Sequence, residues 1–358
     1  MKIIYFIIYL SLKIYKKTTK ISHNITWKNK IKKLIKTKGA KKLTNTQVAE
    51  INTYYNKYKL KGISTQWHQF YYGCNQFFSP KYMPENLFYI DIEPRLNQKI
   101  YFPSLTDKNI LDKRFPNVKQ PETIIKNING FFYSNDELID ERKALSLCDT
   151  GNELVIKPTV DSGGGKNILL FNCKDGVVDS GQKLRTVFKD YGKDFIVQKI
   201  VQQHEQLKAL NPTSLNTIRI MTYLNENKVD VLSTIVRIGR KGSSTDNATT
   251  GGISCGIQKN GQFNTMGYQL SGESFRATDS GIKFEDVKLN FMSKVLETVN
   301  ELHQEAPFFK IISWDLAIDK DENVVLIEYN VMGQGINSHQ LNNGPVLSPL
   351  LKILESQL

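Results

Sequence analysis

The stretch KIISWDLAIDKDENVVLIEYN (Lys310–Asn330) decides how this chain is read. Two apolar, β-branched runs flank the polar segment Lys320–Asn323, the pattern of an antiparallel hairpin. Glu328 and Asn330 stand two apart on the second strand and so share a face. If Asp319 pairs with Val324 across a four-residue turn, Asp315 lies opposite Glu328. Two carboxylates and an amide then converge on one patch of sheet. Carboxylates that close repel unless a cation neutralises them, and hard oxygen donors suit Mg²⁺ held jointly with phosphates. A solvated hairpin face with scattered acids accounts for the same residues, so the hairpin alone leaves both readings open.

Upstream, ELVIKPTVDSGGGKNILLF (Glu153–Phe171) reads as strand, glycine-rich loop, strand. Lys157 ends the first strand. Residues Asp161–Lys166 include three consecutive glycines, whose tolerance of positive φ and of close approach lets backbone N–H groups reach phosphate oxygens. The GxxxxGK[ST] spacing of a P-loop is absent, and a strand follows where a P-loop has a helix. The order also differs from a protein kinase, where the glycine loop precedes the strand lysine; neither HRD nor DFG occurs. A plain glycine hairpin turn is the alternative. In DFIVQKIVQQHEQL (Asp194–Leu207), a strand ending at Gln198, Lys199, Ile200 and Val201 could edge a purine pocket, with Glu205 accepting from ribose hydroxyls. An ordinary strand leaving a core explains that segment equally, and His204 could simply start a helix.

Arginine is scarce, eight against forty lysines. Yet Arg219, Arg237 and Arg240 fall on or just after the strands NTIRIMTYL and STIVRIGR. In a lysine-rich composition this points to planar, bidentate anion binding, with ordinary surface charge as the competing account. The Gly-rich loop Lys241–Ile257 reads as a mobile flap beside a ligand or as a long hairpin connection.

The length of 358 residues leaves room for two domains or lobes. Cys74, Cys148, Cys173 and Cys255 show no CxxC spacing, which implies reduced thiols in a cytosolic protein. The net charge of +13 is uneven: residues 1–62 hold sixteen lysines and one acid, Glu50, and the remainder nets −2. A nucleic-acid surface on the main body is therefore excluded. The apolar run Ile3–Leu12 is too short to cross a bilayer and lacks a small-x-small cleavage site. With Lys13, Lys16, Lys17 and Lys20 behind it, it fits a helix lying on an anionic membrane surface, or else a core helix.

Residues 1–60 read as basic helices, with Thr44 and Gln47 as a capping box. Residues 61–118 form an aromatic-rich, irregular accessory lobe, packed rather than base-stacking. Beyond it, strands are expected at Glu153–Lys157, Asn167–Phe171, Asp194–Val201, Thr217–Leu224, Val229–Ile238, Lys310–Ile318 and Val324–Asn330. A helix is expected over Phe284–Glu305.

Lysine strand, Gly-rich loop, hinge strand, arginine strands and Asp-x12-Glu-x-Asn, in that order, resemble the ATP-grasp superfamily over roughly residues 105–345. The segments LTDKNILDKRF (Leu105–Phe115), LNTIRIMTYL (Leu215–Leu224), DNATTGG (Asp246–Gly252) and WDLAID…IEYN (Trp314–Asn330) are similar to its sugar-transfer-associated family. Those proteins are encoded with surface-polysaccharide genes and are related to α-L-glutamate ligase-like proteins. The resemblance implies an α+β fold in which two subdomains, 119–201 and 202–358, sandwich ATP behind the accessory region. It implies phosphate contacts from Lys108, Lys157 and the loop Ser162, Gly163, Gly164, Gly165 and Lys166. It implies an adenine hinge at Gln198, Lys199 and Val201, ribose binding by Glu205, and Mg²⁺ (or Mn²⁺) ligation by Asp315, Glu328 and Asn330. Gln198 departs from the Glu of many relatives. Ser313 stands where some ligases carry a catalytic Arg, so Arg219 or Arg240 would supply that charge. The implied activity is an ATP-dependent carboxylate–amine ligase working through an acyl phosphate, joining an amino acid or amine and a sugar acid for surface polysaccharide. Lipid-linked saccharide substrates and peripheral membrane contact through residues 1–20 would follow, in the cytoplasm or on the inner face of the membrane. A kinase acting on a sugar-like hydroxyl and a non-catalytic ATP-binding module are the alternatives.

Overall fold

Period-two alternation along short strands builds two seven-stranded sheets among the residues that this computed structural model describes, 2–160 and 167–354. For residues 2–16, Lys99 and Pro103 the backbone alone is described. The first sheet comprises β1 (Thr123–Ile128), β2 (Phe131–Ser134), β3 (Glu137–Ile139), β4 (Glu153–Pro158), β5 (Leu169–Lys174), β6 (Val177–Val178) and β7 (Phe195–Lys199), in the order β3-β2-β1-β7-β4-β5-β6. The second comprises β8 (Thr217–Asn225), β9 (Lys228–Ile238), β10 (Ile253–Ile257), β11 (Phe263–Tyr268), β12 (Ser274–Phe275), β13 (Ile311–Ile318) and β14 (Val324–Asn330), in the order β12-β11-β10-β9-β8-β13-β14.

Each sheet buries one face under helices. Leu154, Ile156, Phe171, Phe195 and Val197 pack with Ala144, Cys148, Val187 and Phe188, from the helices Glu141–Cys148 and Leu184–Tyr191. In the second sheet Ile218, Ile220, Val236, Ile312, Trp314 and Leu316 pack with Val295, Val299 and Leu302 of the helix Met292–Glu305. The intervening residues Val155 and Lys157, Thr217, and Asp315 are thereby turned to the opposite faces. The long helix begins eight residues later than its apolar spacing predicts. Residues 287–289 instead pair with 261–263, Phe263 donating to the Val287 carbonyl and Leu289 to that of Gly261. A tertiary strand-like contact takes the backbone groups a helix would have used.

The hairpin pairs Asp315 with Glu328, as expected, by another route. Near the turn Ile318, not Asp319, faces Val324, and a bulge between Asp315 and Leu316 shifts the register by one. Asp319 organises the turn, its Oδ1 accepting from the backbone N–H of Asp321 (3.0 Å) and Asn323 (2.8 Å).

The chain divides into two compact units at boundaries other than those read from sequence. The first gathers Met1–Asn97, Tyr268–Ser274 and Gly335–Leu358; the second holds Gln98–Gly267 and Phe275–Gln334. Residues past 97 leave the aromatic lobe because Leu111 and Phe115 belong to the core of the second sheet, Phe115 lying 5.6 Å from Trp314 between ring centres. The last segment joins the first unit because Gln340 is buried there, accepting from the Met83 N–H (2.7 Å) and donating to the Tyr71 hydroxyl (3.1 Å). The first unit opens with α1 (Lys2–Lys38), α2 (Asn45–Asn56) and α3 (Gln66–Asn75). The capping box forms: Thr44 Oγ1 accepts from Gln47 N–H, and Gln47 Oε1 from Thr44 N–H. The aromatics are core: Trp67, Phe70, Tyr71, Tyr82 and Phe88 are buried, with Tyr71 stacked on Tyr82. All four cysteines are free and buried. No described helix is long and apolar enough to cross a membrane.

Candidate functional site

A cleft of about 510 Å³ lies wholly within the second unit, lined from both sheets. One end carries apolar residues, Val155, Ile168, Leu170, Ile200, Val201 and Ile327; the other carries Thr213, Ser214, Ser244, Thr245 and Asn247. Between them stand Lys108, Lys157, Arg237, Asp246, Asp315 and Glu328. This size and mixture of apolar wall with a few convergent charges is that of a small-molecule site.

Asp315 is the hub. It faces Arg219 of β8 on one side and Glu328 of β14 on the other. Arg219 grips it with two parallel bonds, Nε to Oδ1 (2.6 Å) and NH2 to Oδ2 (2.5 Å), the bidentate fork that lysine cannot make. Arg237 NH1 also donates to Oδ2 (3.0 Å), as does Asn330 Nδ2 (3.3 Å). Burial alone would push the carboxyl pKa up; the two guanidiniums outweigh it and hold Asp315 well below the usual carboxylate range. The converse holds for Arg219, where burial opposes the charge and Asp315 restores it.

Glu328, with its side chain 27% exposed, pairs with Lys108 (3.0 Å). Lys157 on β4 is lowered to about 8, first by burial and next by the neighbouring charge of Lys108, with Glu328 opposing. Asp246 accepts from Thr217 N–H (3.1 Å), Thr217 Oγ1 (2.5 Å) and Arg237 NH2 (2.9 Å). Burial raises its pKa and Arg237 lowers it, with burial ahead.

The structure thus brings together Lys108, Lys157, Gln198, Lys199, Val201, Asp315 and Glu328 as cleft-lining residues, with Arg219 and Asn330 touching Asp315. Gln198 is buried on β7, its Nε2 donating to Thr123 Oγ1 (3.1 Å) while Oε1 has no partner. Lys199 pairs with Glu122 (2.6 Å). Ser162, Gly163, Gly164, Gly165 and Lys166 lie outside the described residues, between the paired strands β4 and β5.

Two expected residues lie elsewhere. Glu205 is exposed and absent from the cleft lining, because it opens the helix Glu205–Leu210. His204 caps that helix, accepting from Gln206 N–H, and an acid in a first turn suits the helix dipole. Arg240 is likewise absent from the lining: its Nε donates to Asp279 (2.7 Å) and its guanidinium lies over Phe275. Arg237, two residues before the end of that strand's run, takes the place at Asp315. The residue that sequence reasoning missed is Asp246. It opens the DNATTGG run already singled out, but nothing in spacing shows that a loop aspartate reaches two strands.

Among the described residues no group of three His, Cys, Asp or Glu side chains is placed to hold a metal. A cation here must be held by two carboxylates and an amide, and completed by oxygens from elsewhere. That donor set fits a hard divalent cation shared with phosphate, and Lys108, Lys157 and Arg237 beside it suit the phosphate.

The chain belongs to the sugar-transfer-associated ATP-grasp family, whose sequence profile matches residues 87–356. No curated protein matches the sequence. Among solved structures it is similar to Campylobacter jejuni biotin carboxylase in a β-γ-ATP complex, at 11% identity over 71% of this chain and 47% of that one, TM-score 0.44. It is also similar to the biotin carboxylase domain of Hydrogenobacter thermophilus 2-oxoglutarate carboxylase, bound to MgADP, ADP and bicarbonate (13%, 71% and 46%, TM-score 0.39). A third is the L-amino acid ligase from Bacillus licheniformis (13%, 69% and 48%, TM-score 0.39). The chain spans about half the length of these structures.

Proposed function

We propose that this protein is an ATP- and Mg²⁺-dependent carboxylate–amine ligase that joins an amine or amino acid and a sugar acid through an acyl phosphate. The observation that carries this reading is one cleft holding Lys108, Lys157, Arg237, Asp315 and Glu328 next to an apolar, strand-edged end. The apolar end suits a purine, and the backbone of Gln198–Val201 edges it. Lys108 and Lys157 neutralise phosphate oxygens. Mg²⁺, bound by Asp315, Glu328 and Asn330, supplies further charge neutralisation and orients the phosphates. Arg219, with Arg237, stabilises charge on the transferring group, and positioning supplies the rest of the rate. The substrate carboxylate attacks the γ-phosphorus and ADP leaves; the amine then attacks the acyl carbon and phosphate leaves. The hydroxyl- and amide-bearing end, Thr213, Ser214, Ser244, Thr245 and Asn247, favours a hydroxyl-rich carboxylate such as a sugar acid. The test is phosphate release from Mg-ATP with sugar acids crossed against amino acids and amino sugars. Free phosphate is expected only when both partners are present; phosphorylation of a lone hydroxyl substrate without free phosphate would replace the ligase by a kinase.

We further infer that the enzyme works at the cytoplasmic face of an anionic membrane, on a lipid-linked substrate. Residues 1–49 contain no acid. On α1, Ile21 (51% exposed) and Ile25 (54%) stand one turn apart among exposed Lys17, Lys28 and Lys32. Lysines interleaved with exposed isoleucines suit lipid headgroups above acyl chains. Co-flotation with vesicles containing phosphatidylglycerol is expected, and it should fall in an Ile21→Ser/Ile25→Ser variant; equal flotation with neutral vesicles, or none, would contradict it.

A further inference from the structure

Arg237 serves two acids at once. Its NH1 donates to Asp315 Oδ2 (3.0 Å) and its NH2 to Asp246 Oδ1 (2.9 Å). Asp315 Oδ2 already accepts from Arg219 (2.5 Å) and Asn330 (3.3 Å). A carboxylate so loaded with donors has little left for a metal cation, so whatever draws positive charge off it makes it a better ligand. Asp246 is placed to do that.

The loop that carries Asp246 is built to hold it. Asp246 Oδ2 takes both donors of Thr217, which pairs directly with Arg237 across β8 and β9. The connection closes tightly at both ends. A Cβ on Gly252 would stand 2.6 Å from the Asp246 carbonyl oxygen and 2.8 Å from that of Asn247. One on Gly239 would stand 2.5 Å from Ser214 Oγ and 2.7 Å from the Thr245 carbonyl oxygen. The short 3₁₀ turn Ala248–Thr250 follows, with Asn247 capping it through Thr249 N–H. The segment expected as a mobile flap is, around Asp246, a fixed bracket.

We propose that Asp246 is a positioning residue that sets the cation affinity of the cleft: it holds the Arg237 guanidinium between two carboxylates, so that Asp315 stays available as a metal ligand. This rests on the reading of Asp315, Glu328 and Asn330 as the cation site. Removing the charge of Asp246 leaves Arg237 with Asp315 as its sole carboxylate partner among the described residues, and the cation must then compete with a full guanidinium.

The test is Mn²⁺ binding to the full chain, followed by electron paramagnetic resonance in the presence of a non-hydrolysable ATP analogue, with the melting temperature of each variant alongside. Asp246→Asn is expected to weaken Mn²⁺ binding about tenfold, the scale of one buried charge pair redirected. Asp246→Asn/Arg237→Gln should return affinity to within about threefold of wild type, because the misdirected charge is gone. Arg237→Gln alone should bind Mn²⁺ as tightly as wild type or tighter, and it keeps the proposal testable if Asp246→Asn fails to fold. A purely structural Asp246 would lower the melting temperature and leave Mn²⁺ affinity unchanged, and that result would overturn the proposal. So would weaker Mn²⁺ binding in Arg237→Gln. Failure of the wild type to bind Mn²⁺ with the analogue would instead remove the cation site on which the inference rests.

Discussion

β13 has two faces, and they solve the problem of buried polarity in opposite ways. On the helix-covered face, Trp314 Nε1 donates to Thr222 Oγ1 (2.8 Å), Thr222 meets His303 Nδ1 (2.7 Å), and His303 Nε2 reaches the Phe309 carbonyl (2.9 Å). Every polar atom in that chain is matched by a neutral partner, and nothing faces a cavity. On the cleft face, one residue along, Asp315 is met by two guanidiniums and an amide, and Lys108 and Lys157 stand nearby. Charge on this face exceeds what folding needs and opens onto 510 Å³ of space. Satisfied neutral polarity marks a core; surplus, convergent charge beside a cavity marks a site.

The comparison breaks most visibly on the core face. Trp314→Ala should cost about 3–5 kcal/mol of stability, since a fully buried indole leaves a large void and strands its Thr222 partner. Chemical denaturation of wild type and variant measures this. A loss below about 1 kcal/mol would mean that this face is not the core of the unit.

The neutral network also makes an acid-side prediction. His303 is lowered to about 4, by burial first, the Phe309 carbonyl opposing. A folded pKa below the unfolded value means that the unfolded chain binds the proton more tightly. Stability is therefore complete above about pH 6.5 and falls as pH drops towards 4. At pH 5 the loss from this residue should be roughly 2 kcal/mol relative to pH 7. His303→Gln, which retains a donor and an acceptor, should flatten that part of the denaturation profile; an unchanged slope would contradict the assignment.

On the cleft face the sign of the titration has a different consequence. Lys157, lowered to about 8 by burial and Lys108, carries its charge below that pH and loses it above. Affinity for an ATP analogue should fall about tenfold between pH 7 and pH 9, in proportion to the lost ammonium. Lys157→Arg keeps its charge and should remove the dependence. Equal pH profiles for the two proteins would show that Lys157 does not meet the nucleotide.

The two faces were unequally legible. Alternation in SWDLAID assigns Trp314 and Asp315 to opposite sides without further help, and so does IEYN for Glu328 and Asn330. The pairing of Asp315 with Glu328 was read correctly from a turn placed one residue off, because a bulge restored the register. Bulges leave no compositional mark. Glu205 and Arg240 stood at the right spacing from their motifs but were diverted locally, one into a helix start and the other to Asp279. Asp246 escaped notice for the opposite reason: its partners Thr217 and Arg237 are 29 and 9 residues away, and only the fold of the loop brings them together. The helix expected from Phe284 was shortened because residues near Gly261 compete for its first turn. What periodicity encodes was visible; what long-range backbone pairing decides was not.

The most direct test of the central claim is calorimetric titration of a non-hydrolysable ATP analogue into wild type and Glu328→Gln, each with and without Mg²⁺. Glu328 is partly exposed and has one ion-pair partner, so its amide variant should fold with an unchanged melting temperature. The account predicts Mg²⁺-enhanced binding to wild type and loss of that enhancement in Glu328→Gln. Binding that is indifferent to Mg²⁺, or equally enhanced in both proteins, would contradict it.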